Sequence, residues 1–314
     1  MTIQTSIYSC ILGLAVGDAL GVPYEFLRRD QAAAAELTHM TASRYYHQQP
    51  AGAWSDDTAM TLAAMDSLTR CGGFDGEDTM RAFLDWYDNA AYTSTGETFG
   101  VGGTVYRALL TAKNGIPALQ CGRGRIRDNG NGSLMRIAPA ALYCAFKELP
   151  REDEVQLLAD ASAITHAHEI SKLGCLIYSV FLKALIRGAD KEEAYRLCCA
   201  EDYTRCYSPE AAAAYGRILN GTLPALEPWD LAESGYVVDT LEAALWAVLH
   251  GHSYEESVSA AIRLGYDTDT VAAVTGSLCG VLYGVEGIPL AWWEELLRRE
   301  DLEELCERFA ESLA

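Results

Sequence analysis

The sequence predicts an all-α protein, a single compact multi-helix domain over residues 1–314. Three observations predict it. Apolar residues recur at i, i+3 and i+4 in segment after segment. No run alternates with period two for long enough to make a strand. The 9 prolines fall between the helical segments, for example at Pro150, Pro209 and Pro289, where a missing backbone donor does no harm.

In chain order, the apolar run Ile7 to Val16 comes first. No basic segment precedes it, no small-residue cleavage site follows before Asp18, and it is too short to span a bilayer, so it reads as a core helix ending near Gly21. TAMTLAAMDSLTR (58–70) is the next helix, stopping at Gly72. Residues 89–132, rich in Gly, Thr and Asn, are the least helical stretch, and a long irregular stretch inside a helical domain is usually functional. Helices are then expected over 155–167, 171–188, 239–251, 253–265 and 292–309, with Gly188, Gly251 and Gly265 as stops. Neither a linker nor a repeat at solenoid spacing divides the chain.

Half of the residues are hydrophobic and 22% are charged, the balance of a chain that buries a substantial core. With 44 acidic against 24 basic residues, the formal net charge is −20. That excludes a nonspecific nucleic-acid binder, which needs a basic footprint. The 10 cysteines are scattered through apolar runs with no C-x-x-C pair, and Cys198 and Cys199 are adjacent. They read as buried free thiols of a reducing, cytoplasmic protein rather than a disulfide or zinc framework, and no membrane association is expected.

Two acidic helix starts stand out. In AWSDDTAM (53–60), Ser55 can cap a helix with Asp56 and Asp57 in its first turn. In GYDTDTVAAV (265–274), Asp267 or Thr268 can do the same. Capping alone accounts for each, and VVDTLEAALW (237–246) is a comparison with a single acid. The doubled acids differ from it, because carboxylates a few ångströms apart repel unless a cation compensates. Hard oxygen donors of this kind suit Mg²⁺, Mn²⁺ or Ca²⁺ rather than zinc. The Ala, Val, Gly and Ser residues after Thr270 would let that helix pack closely in the centre of a bundle. In GLAVGDALGVPYEF (13–26), Glu25 follows the predicted helix end, either as a surface acid or as a carboxylate aimed into a site. DNGNGSLMRIAPAAL (128–142) and FGVGGTVYRAL (99–109) are glycine-rich turns feeding helices, either plain turns or backbone nests for phosphate. In THAHE (165–169), His166 and His168 are two apart, so on a helix they cannot share one metal.

GLAVGDALGVPYEF, GAWSDDTAMTLA, GNGSLMRIAP, ITHAHE and LGYDTDTVAAVTGSLCG, in this order, resemble the ADP-ribosylglycohydrolase family, which includes the dinitrogenase-reductase-activating glycohydrolases. They run from residue 13 to about 281. The resemblance implies an all-α fold with two Mg²⁺ ions, or Mn²⁺ in some members, held by Ser55, Asp56, Asp57, Asp267, Asp269 and Thr270. It implies catalytic roles for Glu25 and Asp269 and a diphosphate lined by Asn129, Gly130, Asn131, Gly132 and Ser133, with Gly102 and Gly103. His166 matches the family T-H motif near the nucleotide. Two departures matter. Gly100 stands where many relatives carry an aspartate, and Tyr266 adds bulk where they have a small or acidic residue.

The implied reaction is metal-dependent hydrolysis of the glycosidic bond between ADP-ribose and a modified protein side chain or small molecule, with ADP-ribose as product. Two rivals are a binuclear-metal hydrolase of another nucleotide or phosphate substrate, and a non-catalytic descendant of the fold.

Overall fold

A computed structural model describes residues 2–46 and 49–314. Its longer helices are α1 (Ile3–Gly21), α2 (Asp56–Cys71), α3 (Gly76–Asn89), α4 (Gly103–Lys113), α5 (Ala138–Phe146) and α6 (Arg151–Ala163), followed by α7 (Glu169–Ile186), α8 (Lys191–Ala200), α9 (Val237–His250), α10 (Tyr254–Arg263), α11 (Thr268–Tyr283) and α12 (Arg299–Leu313). Among the described residues there is no strand, only isolated bridges joining Arg123 to His166 and Gly130 to Tyr236. The fold is all-α, as the periodicity predicts.

The core is organised around α1 and α11, which are distant in sequence and pack along their whole length. Glycine makes this possible. A Cβ on Gly13 or Gly276 would collide with the opposing carbonyl oxygen, and one on Gly17 would lie 2.7 Å from the carbonyl carbon of Ala272. At the end of the seam, a Cβ on Gly21 would lie 2.5 Å from the Cα of Asp269. The hydroxyl of Thr268 donates to the Gly21 carbonyl at 2.8 Å, closing the crossing. Two backbones are thus held face to face, with acids at the adjoining ends. Helices α9, α10 and α12 pack around this pair, and α2 leans against α1 and α11.

Several sequence expectations need correction. The apolar N-terminal segment is longer than its central run. Ile3–Tyr24 has a mean hydropathy of 1.5 and would span a bilayer by length and composition, yet 89% of its most apolar window is buried in the bundle. The helix expected over 292–309 is broken between Leu290–Glu295 and α12, where Arg298 takes a left-handed conformation and Leu297 donates its backbone N–H to Gly52. Helix α6 stops before Ile164, so His166 lies beyond it, and His168 caps α7 by accepting from the Ile170 N–H. Gly72, Gly188 and Gly265 have positive φ, as helix stops do, but Gly251 is extended, and glycine is required there because a Cβ would strike Ser257. All ten cysteines are free, and Cys71 and Cys206 are exposed rather than buried.

Candidate active site

The acidic helix starts converge. Glu25, Asp56, Asp57, Asp267, Asp269 and Thr270 line one cavity of about 570 Å³, together with Gly102 and Gly103, Gly130 to Gly132, and His166. A volume of this order suits a small-molecule site.

Helix α2 delivers Asp56 and Asp57. Ser55 is the N-cap, and its hydroxyl accepts from the Asp57 N–H at 3.2 Å while donating to Asp57 Oδ2 at 3.1 Å. Capping and orientation of an acid are therefore one interaction. A residue without an assigned role in the sequence completes this helix start. Asp18 of α1, fully buried, accepts from the Ser55 and Thr58 backbone N–H groups and from the Thr58 hydroxyl at 2.6 Å. It serves as a second cap supplied by another helix, satisfying donors that a helix start leaves orphaned. Burial still pushes its carboxyl up to about 6.

Helix α11 delivers the other set. Asp267 occupies the N-cap position without capping, since its side chain makes no bond to the helix N–H groups. Its Oδ2 instead accepts from Asn131 Nδ2 at 2.5 Å. Asn131 also donates to the Thr240 hydroxyl at 2.9 Å. Asp239-Thr240, which reads as a plain helix cap in the sequence, therefore braces the site through Asn131. The Thr270 hydroxyl faces Asp57 Oδ2 at 3.4 Å, linking the α2 and α11 acids directly.

One oxygen each from Glu25, Asp267 and Asp269 lie within 4.8 Å of one another. Glu25 Oε2 and Asp57 Oδ1 are buried without a hydrogen-bond partner. Burial, then repulsion from neighbouring acids, raises the carboxyls of Asp56, Asp57 and Asp269 well above the ordinary range. Burial and the Asp267 charge push Glu25 up to about 8. Charged Lys or Arg side chains are missing from the cavity wall among the described residues. Crowded carboxylate oxygens, two of them without partners, are hard donors of the kind a divalent cation takes, and the residues present fit one.

The opposite end is built from glycine. Gly102 caps α4, and neither Gly102 nor Gly103 would meet anything within 4 Å through a Cβ, so glycine leaves the start of that helix open to the cavity. Gly132 lies under His166, where a Cβ would be 3.0 Å from Cε1. Two residues expected beside the ligand point elsewhere. Asn129 is buried, accepts from the Ser171 hydroxyl and donates to the Ile126 carbonyl. Ser133 is buried against Ser162 and Cys175. Both brace the loop instead of lining it, because Ser171 and the Ile126 carbonyl hold Asn129 while Ser162 and Cys175 hold Ser133.

Gly100 has φ +82, and a Cβ there would strike Asp56 Oδ1. The mouth is aromatic. Phe26 and Tyr266 both have positive φ, and two backbone bonds tie Tyr266 to the Phe26-Leu27 segment, Phe26 N–H to the Tyr266 carbonyl at 2.6 Å and Tyr266 N–H to the Leu27 carbonyl at 2.7 Å. Their rings meet edge to face at 6.0 Å, and Tyr45 packs on Phe26 at 4.6 Å.

Comparison with known proteins settles the family. The ADP-ribosylglycohydrolase family profile matches residues 1–314. The chain belongs to the ADP-ribosylglycohydrolase family. It is 32% identical over 305 residues to ADP-ribosylarginine hydrolase Tri1 of Serratia proteamaculans, covering 95% of this chain and 77% of that protein. It is 31% identical over 288 residues to the ADP-ribosyl-(dinitrogen reductase) glycohydrolase of Rhodospirillum rubrum, covering 91% and 88%. A solved structure described as an ADP-ribosylglycohydrolase-related protein complex superposes with a TM-score of 0.81 at 32% identity, covering 99% of both chains. Membership supports hydrolytic removal of ADP-ribose as the activity class.

Proposed function

We propose that this ADP-ribosylglycohydrolase releases ADP-ribose from a modified arginine side chain by cleaving the glycosidic bond at the anomeric carbon, with two divalent cations, Mg²⁺ or Mn²⁺, in the carboxylate wall. The observation that carries the reading is the pair of buried, unpartnered oxygens, Glu25 Oε2 and Asp57 Oδ1, within a set of acids facing one cavity. Asp56, Asp57, Asp267, Asp269 and Thr270 would hold the cations, and the Ser55 hydroxyl would act by orienting Asp57. When bound, such cations supply Lewis-acid stabilisation for ribose oxygens and an activated water.

The chain's own groups have separate tasks. Glu25 borders the cavity and would transfer a proton during cleavage of the bond, which passes through an oxocarbenium-like state. The open start of α4 would receive the diphosphate through the positive end of the helix dipole. The aromatic mouth suits a flat guanidinium better than a hydroxyl, since a cation over aromatic faces is attracted to their quadrupoles. The printed name of the Serratia relative agrees with an arginine linkage.

The test is direct. An arginine-ADP-ribosylated peptide incubated with the protein should yield free ADP-ribose, and Asp269→Asn or excess EDTA should abolish release while the circular dichroism spectrum is retained. Full release under either condition would sink the scheme, as would AMP or inorganic phosphate as the product.

A further inference from the structure

Arg136 carries a charge in an unlikely place. It is buried, its guanidinium lies 4.7 Å over the Phe83 ring, and among the described residues no carboxylate pairs with it. One terminal nitrogen, Nη1, donates to the Ala161 carbonyl at 3.0 Å, and Nη2 donates to the Thr165 hydroxyl at 2.8 Å. Its Nε is buried without a partner. An unpaired buried cation is costly, so its retention asks what it does.

The hydrogen-bond chain answers that. A guanidinium only donates, so Nη2 takes a lone pair of Thr165 Oγ1. The remaining neighbour of that fully buried hydroxyl is His166 Nδ1 at 2.9 Å. If Nδ1 carried the ring proton, Oγ1 would accept twice, and its own proton would be buried unpaired at about 1–3 kcal/mol. The hydroxyl therefore donates to Nδ1, which leaves the ring proton on Nε2. A doubly protonated ring is opposed by burial and by the Arg136 charge. His166 borders the cavity at its glycine end, where a Cβ on Gly130 would come 3.6 Å from Nε2.

We propose that Arg136, acting through Thr165, is a positioning residue that fixes His166 as the neutral Nε2–H tautomer and so presents a hydrogen-bond donor to an anionic ligand oxygen at the glycine end of the cavity. Only the identity of that oxygen, a phosphate of ADP-ribose, rests on the function proposed above.

The test is ¹⁵N NMR of the full chain at pH 7 with histidine-selective labelling, His166 being assigned by loss of its signals in His166→Gln. The expected result is a pyrrole-type Nε2 and a pyridine-type Nδ1, with the Nε2 proton shifting when ADP-ribose is added. Thr165→Val should lose the single tautomer and raise the calorimetric Kd for ADP-ribose about tenfold, while Thr165→Ser should retain both. Thr165→Val spares the buried guanidinium, so it remains informative should Arg136→Met fail to fold. A wild-type ring protonated on Nδ1, or a Thr165→Val protein keeping the pure Nε2–H form, would overturn the assignment. So would ADP-ribose binding that leaves the Nε2 proton unmoved. A wild-type protein with the expected tautomer but no affinity for ADP-ribose would leave the tautomer assignment standing and remove the proposed function instead.

Discussion

Gly21→Ala tests how the site is held. Gly21 has an ordinary helical φ, so alanine fits the backbone and gains up to about 1 kcal/mol of helix propensity. The added Cβ, however, would sit 2.5 Å from the Cα of Asp269 and 2.7 Å from its nitrogen, about 1 Å inside normal contact. Both neighbours are backbone, so no rotamer change relieves the clash, and overpacking of this kind costs about 1–3 kcal/mol. Propensity and clash roughly offset or leave a modest deficit, so the melting temperature should fall by only a few degrees. The larger effect is on Asp269, because a displacement of about 1 Å at a reacting centre costs on the order of 10²-fold in rate. The assay is kcat/KM for ADP-ribose release beside a thermal melt, with Gly216→Ala, whose Cβ meets nothing within 4 Å, as control. Gly21→Ala activity within about twofold of wild type would refute the view that the α1–α11 seam sets the position of the acids.

Three further outcomes follow from the site. Gly100→Asp, which installs the residue that the family resemblance implies there, should reduce activity and stability, because it combines a strained positive φ with a clash on Asp56; a thermal melt and a rate measurement decide it. Without divalent cations, the raised Glu25 carboxyl keeps a proton that the unfolded chain releases above about 4.5, so its stabilising effect is complete below that pH and lost as the pH passes about 8. The EDTA-treated protein should therefore melt progressively lower between pH 5 and pH 8, and Mg²⁺ should flatten that decline. Tyr266→Leu should lower kcat/KM for an arginine-linked substrate about fivefold, the worth of a cation–π contact near 1 kcal/mol, and a serine-linked substrate should be less affected.

Much of this architecture was legible in local patterns. The helix start at Ser55-Asp56-Asp57 announces itself through cap chemistry, the one at Asp267-Thr268-Asp269 through cap-type residues of which Asp267 turns to Asn131 instead of capping, and the small residues after Thr270 announce a close helix crossing. What local pattern does not carry is pairing across the chain. Nothing near Asp18 shows that its carboxylate caps a helix beginning at Asp56, and nothing in D-T at 239–240 distinguishes a plain helix start from one that braces Asn131. Asn129 and Ser133 show the same limit from the other side. A turn sequence indicates that a loop exists, but which of its side chains faces the ligand depends on Ser171 and Ser162, contributed by helices far along the chain. The break at Leu296–Arg298 was hidden because apolar spacing continues through it while the backbone is held by Gly52.

The seam between α1 and α11 also has a consequence for biosynthesis. Thr268 closes onto Gly21 across a sequence separation of 247 residues. A nascent chain still lacking residues 268–283 has α2 and α5 for its first helix to touch but not the partner it packs along for its whole length, so most of an apolar segment of near-membrane length then stands uncovered. Maturation of the acidic pocket is accordingly among the final events of synthesis, and a ribosome-stalled fragment ending before the last glycine of the crossing would be both inert and a client for chaperones.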